Sequence, residues 1–319
     1  MPSNHFQLVF IGGGSRGLGK DLAILLVKKG ANVVIFSRSQ PALDAAKSEI
    51  QQARKSPSQT IDTISVDLSD ANDVDRILKE YNAIPDILIC VAGGSPPSQI
   101  NFLAELSPDA IRACMDMNYY TSVFITRAVI KLWLQNPAPA DMKEPRHVVF
   151  TSSSAAFVGL PGYAAYTTPK VAIRALADTL RQELLLYGNT SKYQVHCSFP
   201  GTFITDSFLE EQSTKPTLLK SFEGSQGTEE ELRKRLDSSM VIAGKIVRGL
   251  ERGEFFITTD LQGAVLLGNM RGPSPRNYWV WDTLMGGLGM LVWPWVRWGF
   301  DGRTVEFGRE GRKEGKYGE

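Results

Sequence analysis

The stretch from Leu8 to Phe36 limits the possible folds more than any other. It opens with Leu8-Val9-Phe10-Ile11 and passes through Gly12-Gly13-Gly14-Ser15-Arg16-Gly17-Leu18-Gly19. A helical pattern then runs to about Lys29, and a second apolar run covers Asn32 to Phe36. The pattern predicts strand, glycine turn, helix and strand, a right-handed crossover that builds parallel sheet. Two glycine spacings overlap in the turn. Gly12-x-Gly14-x-x-Gly17 fits the general dinucleotide fingerprint, and Gly13-x-x-x-Gly17-x-Gly19 fits its wider variant. Glycine is needed there because backbone must approach a pyrophosphate seated on the helix N-terminus.

The alternation continues along the chain. A helix is expected over about 41–54, then a strand from Thr60 to Val66 that ends in Asp67-Leu68, a place for an adenine contact. Ser69 or Asp70 can cap the helix that follows, to about Tyr81. The strand Asp86 to Val91 ends in Ala92-Gly93-Gly94, where backbone can again approach a cofactor. Ser107-Pro108 starts a helix that runs to about Gln135 and carries Asn118 inside it. After a polar, proline-rich linker, strands are expected at His147–Thr151, Gln194–Phe199 and Glu254–Thr258, with a helix over Met240–Arg252. The fold class expected is α/β, a Rossmann-like doubly wound sheet of seven parallel strands with helices on both faces. Residues 1–260 would form this domain. Within it 203–240, polar and without strand pattern, would make a substrate lid.

Chemistry is concentrated between Ser153 and Lys170. Tyr166 and Lys170 are four apart and share one face of a helix, and Ser153 stands just past a strand. A lysine favours the phenolate of a neighbouring tyrosine, lowering a pKa that starts at about 10. The tyrosine can then give a proton to a carbonyl oxygen that the serine hydroxyl holds. At the end of the second strand, where an acidic residue would accept the ribose 2′-hydroxyl of NAD, the chain has Ser37-Arg38, with Arg16 nearby in the turn. Two guanidinium groups suit a 2′-phosphate, so NADPH is the expected cofactor.

A net charge of +1 offers no nucleic-acid surface. Cys90, Cys114 and Cys197 are few and widely spaced, and read as reduced packing residues. His5, His147 and His196 form no ligand set, so no metal is expected. The run Phe6 to Ile11 is too short for a signal peptide.

The C-terminal part is different in kind. Trp279, Trp281, Trp293, Trp295 and Trp298 crowd into residues 261–300, and 283–296 carry no charge. That run is short of the roughly 20 residues a span needs. Pro294 and the glycines nearby also argue against a straight helix. An interfacial or re-entrant membrane segment is expected, the alternatives being a patch packed on the core or a dimer contact. Residues 301–319, glycine-rich with mixed charges, read as disordered.

Taken in order, these stretches resemble the short-chain dehydrogenase/reductase superfamily. Gly13, Gly17 and Gly19 match its glycine turn, while Gly12 and Cys90-Val91 depart from its usual residues. Pro169 is unusual before the lysine, but tolerable in a first helical turn. The resemblance implies that Asn118, Ser153, Tyr166 and Lys170 are the catalytic four, with Asn118 supporting a water relay to Lys170. It also implies cofactor contacts from Gly13, Ser15, Arg16, Gly17, Leu18, Gly19, Arg38, Asp67, Leu68, Ala92, Gly93, Tyr166, Lys170, Pro200, Gly201 and Thr205. Thr214-Lys215-Pro216 and Gly272-Pro273-Ser274-Pro275-Arg276-Asn277 are similar to a narrower branch. Its members reduce the 3-keto group of long-chain sphingoid bases with NADPH at the endoplasmic reticulum membrane. Homo-oligomers paired through the helices of Asn118 and Tyr166 are a further implication. Another lipid-like ketone (steroid, retinoid or fatty-acyl) and a non-catalytic NADPH-binding scaffold remain as alternatives.

Overall fold

The computed structural model describes residues 8–137, 144–187 and 191–314. His5, most of the linker expected after Gln135 and the last five residues of the tail lie outside the described residues.

Seven strands form one sheet in the order β3-β2-β1-β4-β5-β6-β7, every neighbouring pair parallel. They are β1 (Leu8–Gly12), β2 (Asn32–Ser37), β3 (Ile61–Ser65), β4 (Ile87–Cys90), β5 (Arg146–Thr151), β6 (Tyr193–Phe199) and β7 (Phe256–Thr258). Each expected strand is present within two residues of its expected ends. Side chains alternate between two cores, as the period of a strand dictates. Phe10, Val34 and Phe36 face one core, and Val9, Ile11, Val33 and Ile35 face the other. The helices α1 (Gly17–Lys28) and α2 (Gln40–Gln51) cover the second core, and α3 (Ala71–Tyr81) lies on the first. Local signals set their ends. Ser39 caps α2, Asp70 accepts from two backbone amides of α3, and Asn82 closes α3 in the left-handed region.

The helix expected from Pro108 to Gln135 is interrupted. It consists of α4 (Pro108–Met115), one π turn over Asp116–Tyr120, and α5 (Thr121–Gln135). Asn118 sits in the π turn, a distortion that often marks functional positions. Next comes α6 (Ala164–Tyr187), which carries Tyr166 and Lys170. Pro169 falls in its second turn, not the first as expected, so the Ala165 carbonyl loses its i+4 donor.

Residues 206–240 contain three short helices, α7 (Asp206–Glu211), α8 (Thr217–Glu223) and α9 (Glu229–Arg235), followed by α10 (Ser239–Glu251). After β7 come α11 (Leu261–Met270) and α12 (Trp279–Lys313). Two readings of this end are corrected. The glycines do not break α12. They seat it, because a Cβ at Gly268 would lie 2.6 Å from the Gly286 amide nitrogen, so α11 and α12 meet backbone to backbone. The helix also continues through Lys313 where an irregular tail was expected from residue 301. Among the described residues, no helix is long and apolar enough to cross a membrane.

Candidate active site

The strand order reverses between β1 and β4, and in such sheets the binding crevice opens beyond the carboxyl ends of the strands at that point. Most of the expected site residues lie at or just beyond these strand ends, with Asn118 in the π turn and Tyr166 and Lys170 on α6. Gly13 has φ +90°, and a Cβ there would stand 2.5 Å from the Ala92 nitrogen. Gly17 has φ +50°, and a Cβ at Gly19 would meet the Gly13 carbonyl oxygen at 2.2 Å. The wider glycine spacing is therefore the one that shapes the turn. Gly14 is needed too, since a Cβ there would overlap Ile35 Cγ2 at 2.5 Å. Ser15 Oγ donates to Ser37 Oγ at 3.0 Å, joining the turn to the end of β2.

Arg16 and Arg38 are both exposed beside that joint, and neither has an ion pair or side-chain hydrogen bond among the described residues. Asp67, beyond β3, is pushed up by burial. Two hydrogen bonds from Ser69 and the charge of Arg38 outweigh this and hold its carboxyl below the usual range. Leu68 is buried under Gly12. Ala92 donates its amide to the Gly12 carbonyl at 2.8 Å. Cys90, one of the departures from the family's usual residues, is a core thiol 3.5 Å from Thr126 Oγ1.

Asn118 locks the next segment. Its Oδ1 accepts from the Gly94 amide at 2.9 Å, and its Nδ2 donates to the Gly94 and Cys114 carbonyls at 2.8 and 3.0 Å. A Cβ at Gly93 would collide with Asn118 Oδ1 at 2.6 Å and stand 3.3 Å from Lys170 Nζ. The structure thus brings Asn118, Lys170 and the glycine pair into one contact. Ser153 follows β5 in extended backbone and accepts from the Ala155 amide at 3.1 Å. On the other side, Gly201 lies under Asp260, and Thr205 caps α7 with its methyl against the space beside Gly17.

The electrostatics correct one expectation. Burial raises the Tyr166 phenol above its ordinary range, a hydrogen bond with Ser153 opposes this, and Glu211 and Glu223 reinforce it. Lys170 Nζ lies 5.5 Å from the Tyr166 ring centroid and donates to the Thr151 carbonyl at 3.2 Å. Burial lowers its pKa to about 8. The perturbed group of the pair is the lysine as well as the tyrosine.

Sequence reasoning missed a buried cluster next to these residues. Lys215 bonds Glu211 and, at 2.5 Å, Glu223. The Tyr163 hydroxyl lies 2.7 Å from Glu223 Oε1 and 3.2 Å from Glu211 Oε1, and Ser95 Oγ donates to Glu211 at 2.5 Å. The Tyr163 ring packs 5.2 Å from that of Tyr166. This network ties α7 and α8 to the end of β4 and to the start of α6. Nothing in a charged stretch such as 206–240 distinguishes a buried glutamate from a solvated one, and Lys215 stands out in the sequence only as part of the resemblance to the narrower branch.

Glycine backbone open to a pyrophosphate, exposed guanidiniums beside the β2 end, and half-buried Ser153 and Tyr166 next to buried Lys170 and Asn118 fit a nicotinamide dinucleotide. Comparison with known proteins agrees. The family model described as short chain dehydrogenase matches residues 7–216. The chain belongs to the short-chain dehydrogenase family, and as such is an oxidoreductase that uses a nicotinamide cofactor. Within the family it is similar to a 3-ketodihydrosphingosine reductase of Neurospora crassa, 36% identical, covering 96% of this chain and 85% of that one. It also resembles the 3-ketodihydrosphingosine reductase of Bos taurus, 32% identical, covering 92% and 80%. Among solved structures, actinorhodin polyketide ketoreductase with NADPH shares the fold, with TM-score 0.65, 17% identity and coverage of 81% and 97%.

Proposed function

We propose that this chain reduces 3-ketodihydrosphingosine to dihydrosphingosine with NADPH. The observation that carries the reading is the meeting of Ser153, Tyr166, Lys170 and Asn118 beside the glycine turn, in a chain whose relatives over nearly its whole length bear that enzyme name. The cofactor, when bound, supplies hydride to the ketone carbon. Tyr166 gives its proton to the ketone oxygen, and Ser153 holds that oxygen in place. The raised phenol pKa keeps the proton on Tyr166 until negative charge develops on the ketone. Lys170, its ammonium 5.5 Å from the Tyr166 ring centroid, favours the phenolate that forms as the proton leaves. Asn118 keeps the Gly93–Gly94 backbone in position next to Lys170.

NADPH rather than NADH is favoured by Arg16 and Arg38, which leave two exposed guanidiniums for a 2′-phosphate. Residues 203–240 act as the lid, held shut by the Lys215 cluster. A membrane surface, proposed as that of the endoplasmic reticulum with the site facing the cytosol, is the partner suggested for the exposed tryptophans of α12. Trp279, Trp295 and Trp298 there are each more than 70% exposed. Tryptophan concentrates where bilayer meets water, and an interfacial helix needs no span. Val171, Leu185 and Leu186 on α6, with Tyr120 and Leu134 from the π turn and α5, are exposed apolar side chains available to a second copy of the chain.

The test is product analysis on the purified full chain with a panel of keto-lipids and both cofactors. The reading expects dihydrosphingosine formed in step with NADPH consumed, and much slower turnover with NADH. Turnover of other ketones but never of this one would overturn the substrate. Equal use of NADH would overturn the role of Arg16 and Arg38.

A further inference from the structure

A groove of about 610 Å³ shares Leu160 with the cluster around the Tyr166 ring. Its walls come from three elements distant in sequence. Leu160, Pro161 and Ala164 lead into and begin α6, Phe222 comes from α8, and Phe300 and Val305 come from α12. The roof is a stacked pair, Phe222 on Phe300 with ring centroids 4.4 Å apart, and Arg303 lies over the Phe222 ring at 4.4 Å. Two of the three threonines of the lining spend their hydroxyls on their own helices, and the third, Thr167, has a buried hydroxyl with no partner among the described residues. Thr168 Oγ1 donates to the Ala164 carbonyl at 2.9 Å and Thr304 Oγ1 to the Phe300 carbonyl at 3.0 Å. Arg297 and Asp301 stand one turn apart on α12, 4.0 Å from each other, and leave no isolated charge there.

The groove adjoins the chemistry. Leu160 lines it and also packs with Ile100, Tyr163, Leu219 and Tyr166 in one cluster. The helix α8 puts Leu219 into that cluster and Phe222 into the groove, three residues and about one turn apart. The same stretch of α12 carries the exposed Trp295 and Trp298.

We infer that this groove receives the alkyl chain of the substrate, so that α12, an element outside the matched family region, sets chain-length preference. The inference rests on the keto-lipid reading above, because only a long-chain substrate gives the groove an occupant that reaches Tyr166 and is apolar throughout. A ketone held at Tyr166 would carry its chain past Leu160 and under the Phe222–Phe300 roof. Each methylene that leaves water for such a lining raises kcat/KM by up to about fourfold.

The experiment measures kcat/KM for 3-keto sphingoid bases of graded chain length, from about eight to about eighteen carbons, with NADPH in mixed micelles of fixed composition. Wild type is compared with Val305→Trp, a position more than half exposed in the structure, where the larger ring fills the groove without displacing the core. Wild type should prefer the long chain by a wide margin, and Val305→Trp should cut the long-to-short ratio tenfold or more. A flat chain-length profile in wild type overturns the inference even if the variant fails to fold. So does a Val305→Trp enzyme that keeps the wild-type ratio. If no chain length is reduced at all, the keto-lipid reading itself fails, an outcome distinct from a flat profile.

Discussion

Two buried lysines flank the Tyr163–Tyr166 ring pair, and their surroundings are opposite. Lys170 is almost wholly buried with a backbone carbonyl as its hydrogen-bond acceptor and no carboxylate in salt-bridge contact among the described residues. Its ammonium is poorly compensated, and burial brings the pKa down to about 8. Lys215 is equally buried but is held by two carboxylates. The same side chain thus stands without a carboxylate in one place and between two in the other. The comparison teaches that burial alone assigns no role. The partners decide whether a charge is left to act on a neighbouring phenol or only holds two helices in place.

The largest expected effect comes from removing the lysine without a carboxylate. Lys170→Met should lower kcat by about 10² to 10⁴, the range of lost support for general acid catalysis, while the chain stays folded by circular dichroism. A Lys170→Met enzyme within a few fold of wild type would end the distinction. Removing the fixed lysine should act on stability first. Lys215→Met strands two buried carboxylates and should cost about 3–5 kcal/mol in denaturant unfolding. Tripling with Glu211→Gln and Glu223→Gln should recover most of that loss. If Lys215→Met unfolds at the wild-type midpoint, the cluster does not hold the lid.

A smaller effect is expected at the cofactor end. Arg38→Ala should raise the KM for NADPH by about 10- to 100-fold, the worth of a charge-assisted contact, and leave that for NADH nearly unchanged. A pH effect is expected in the core as well. His147 and His196 face each other across β5 and β6 with ring nitrogens 3.0 Å apart. Burial lowers their pKa values to about 3 and about 4. Below the ordinary value of 6.5 the unfolded chain binds protons that the folded chain refuses. Stability should therefore fall as pH drops from about 6.5 toward 4, by about 1.4 kcal/mol per ring one unit below 6.5. Replacing both rings with glutamine should flatten the slope measured by thermal unfolding, and an unchanged slope would assign it to other groups.

Much of this was legible in the chain. Buried parallel strands are continuous apolar runs, and glycine spacing reports the turn directly, so β1 through β7 and the residues Gly13, Gly17 and Gly19 could be placed before any coordinates. Tyr166 and Lys170 were legible because helical spacing fixes a shared face. What escaped notice depended on distant contacts. The π turn at Asn118 follows from its bonds to Gly94, and no local pattern announces it. The glycines of α12 looked like breakers because their partner helix, α11, is known only from the fold. Glu211 and Glu223 looked solvated because their burial is created by Tyr163, Ser95 and Lys215, each from a different segment.

The central claim is that the Tyr166 proton completes reduction of the ketone. The most direct measurement is Tyr166→Phe, assayed in parallel for NADPH binding by fluorescence and for NADPH oxidation with 3-ketodihydrosphingosine. Binding should stay within a few fold of wild type and turnover should fall by about 10³ or more. Turnover that survives the loss of the hydroxyl would contradict the claim.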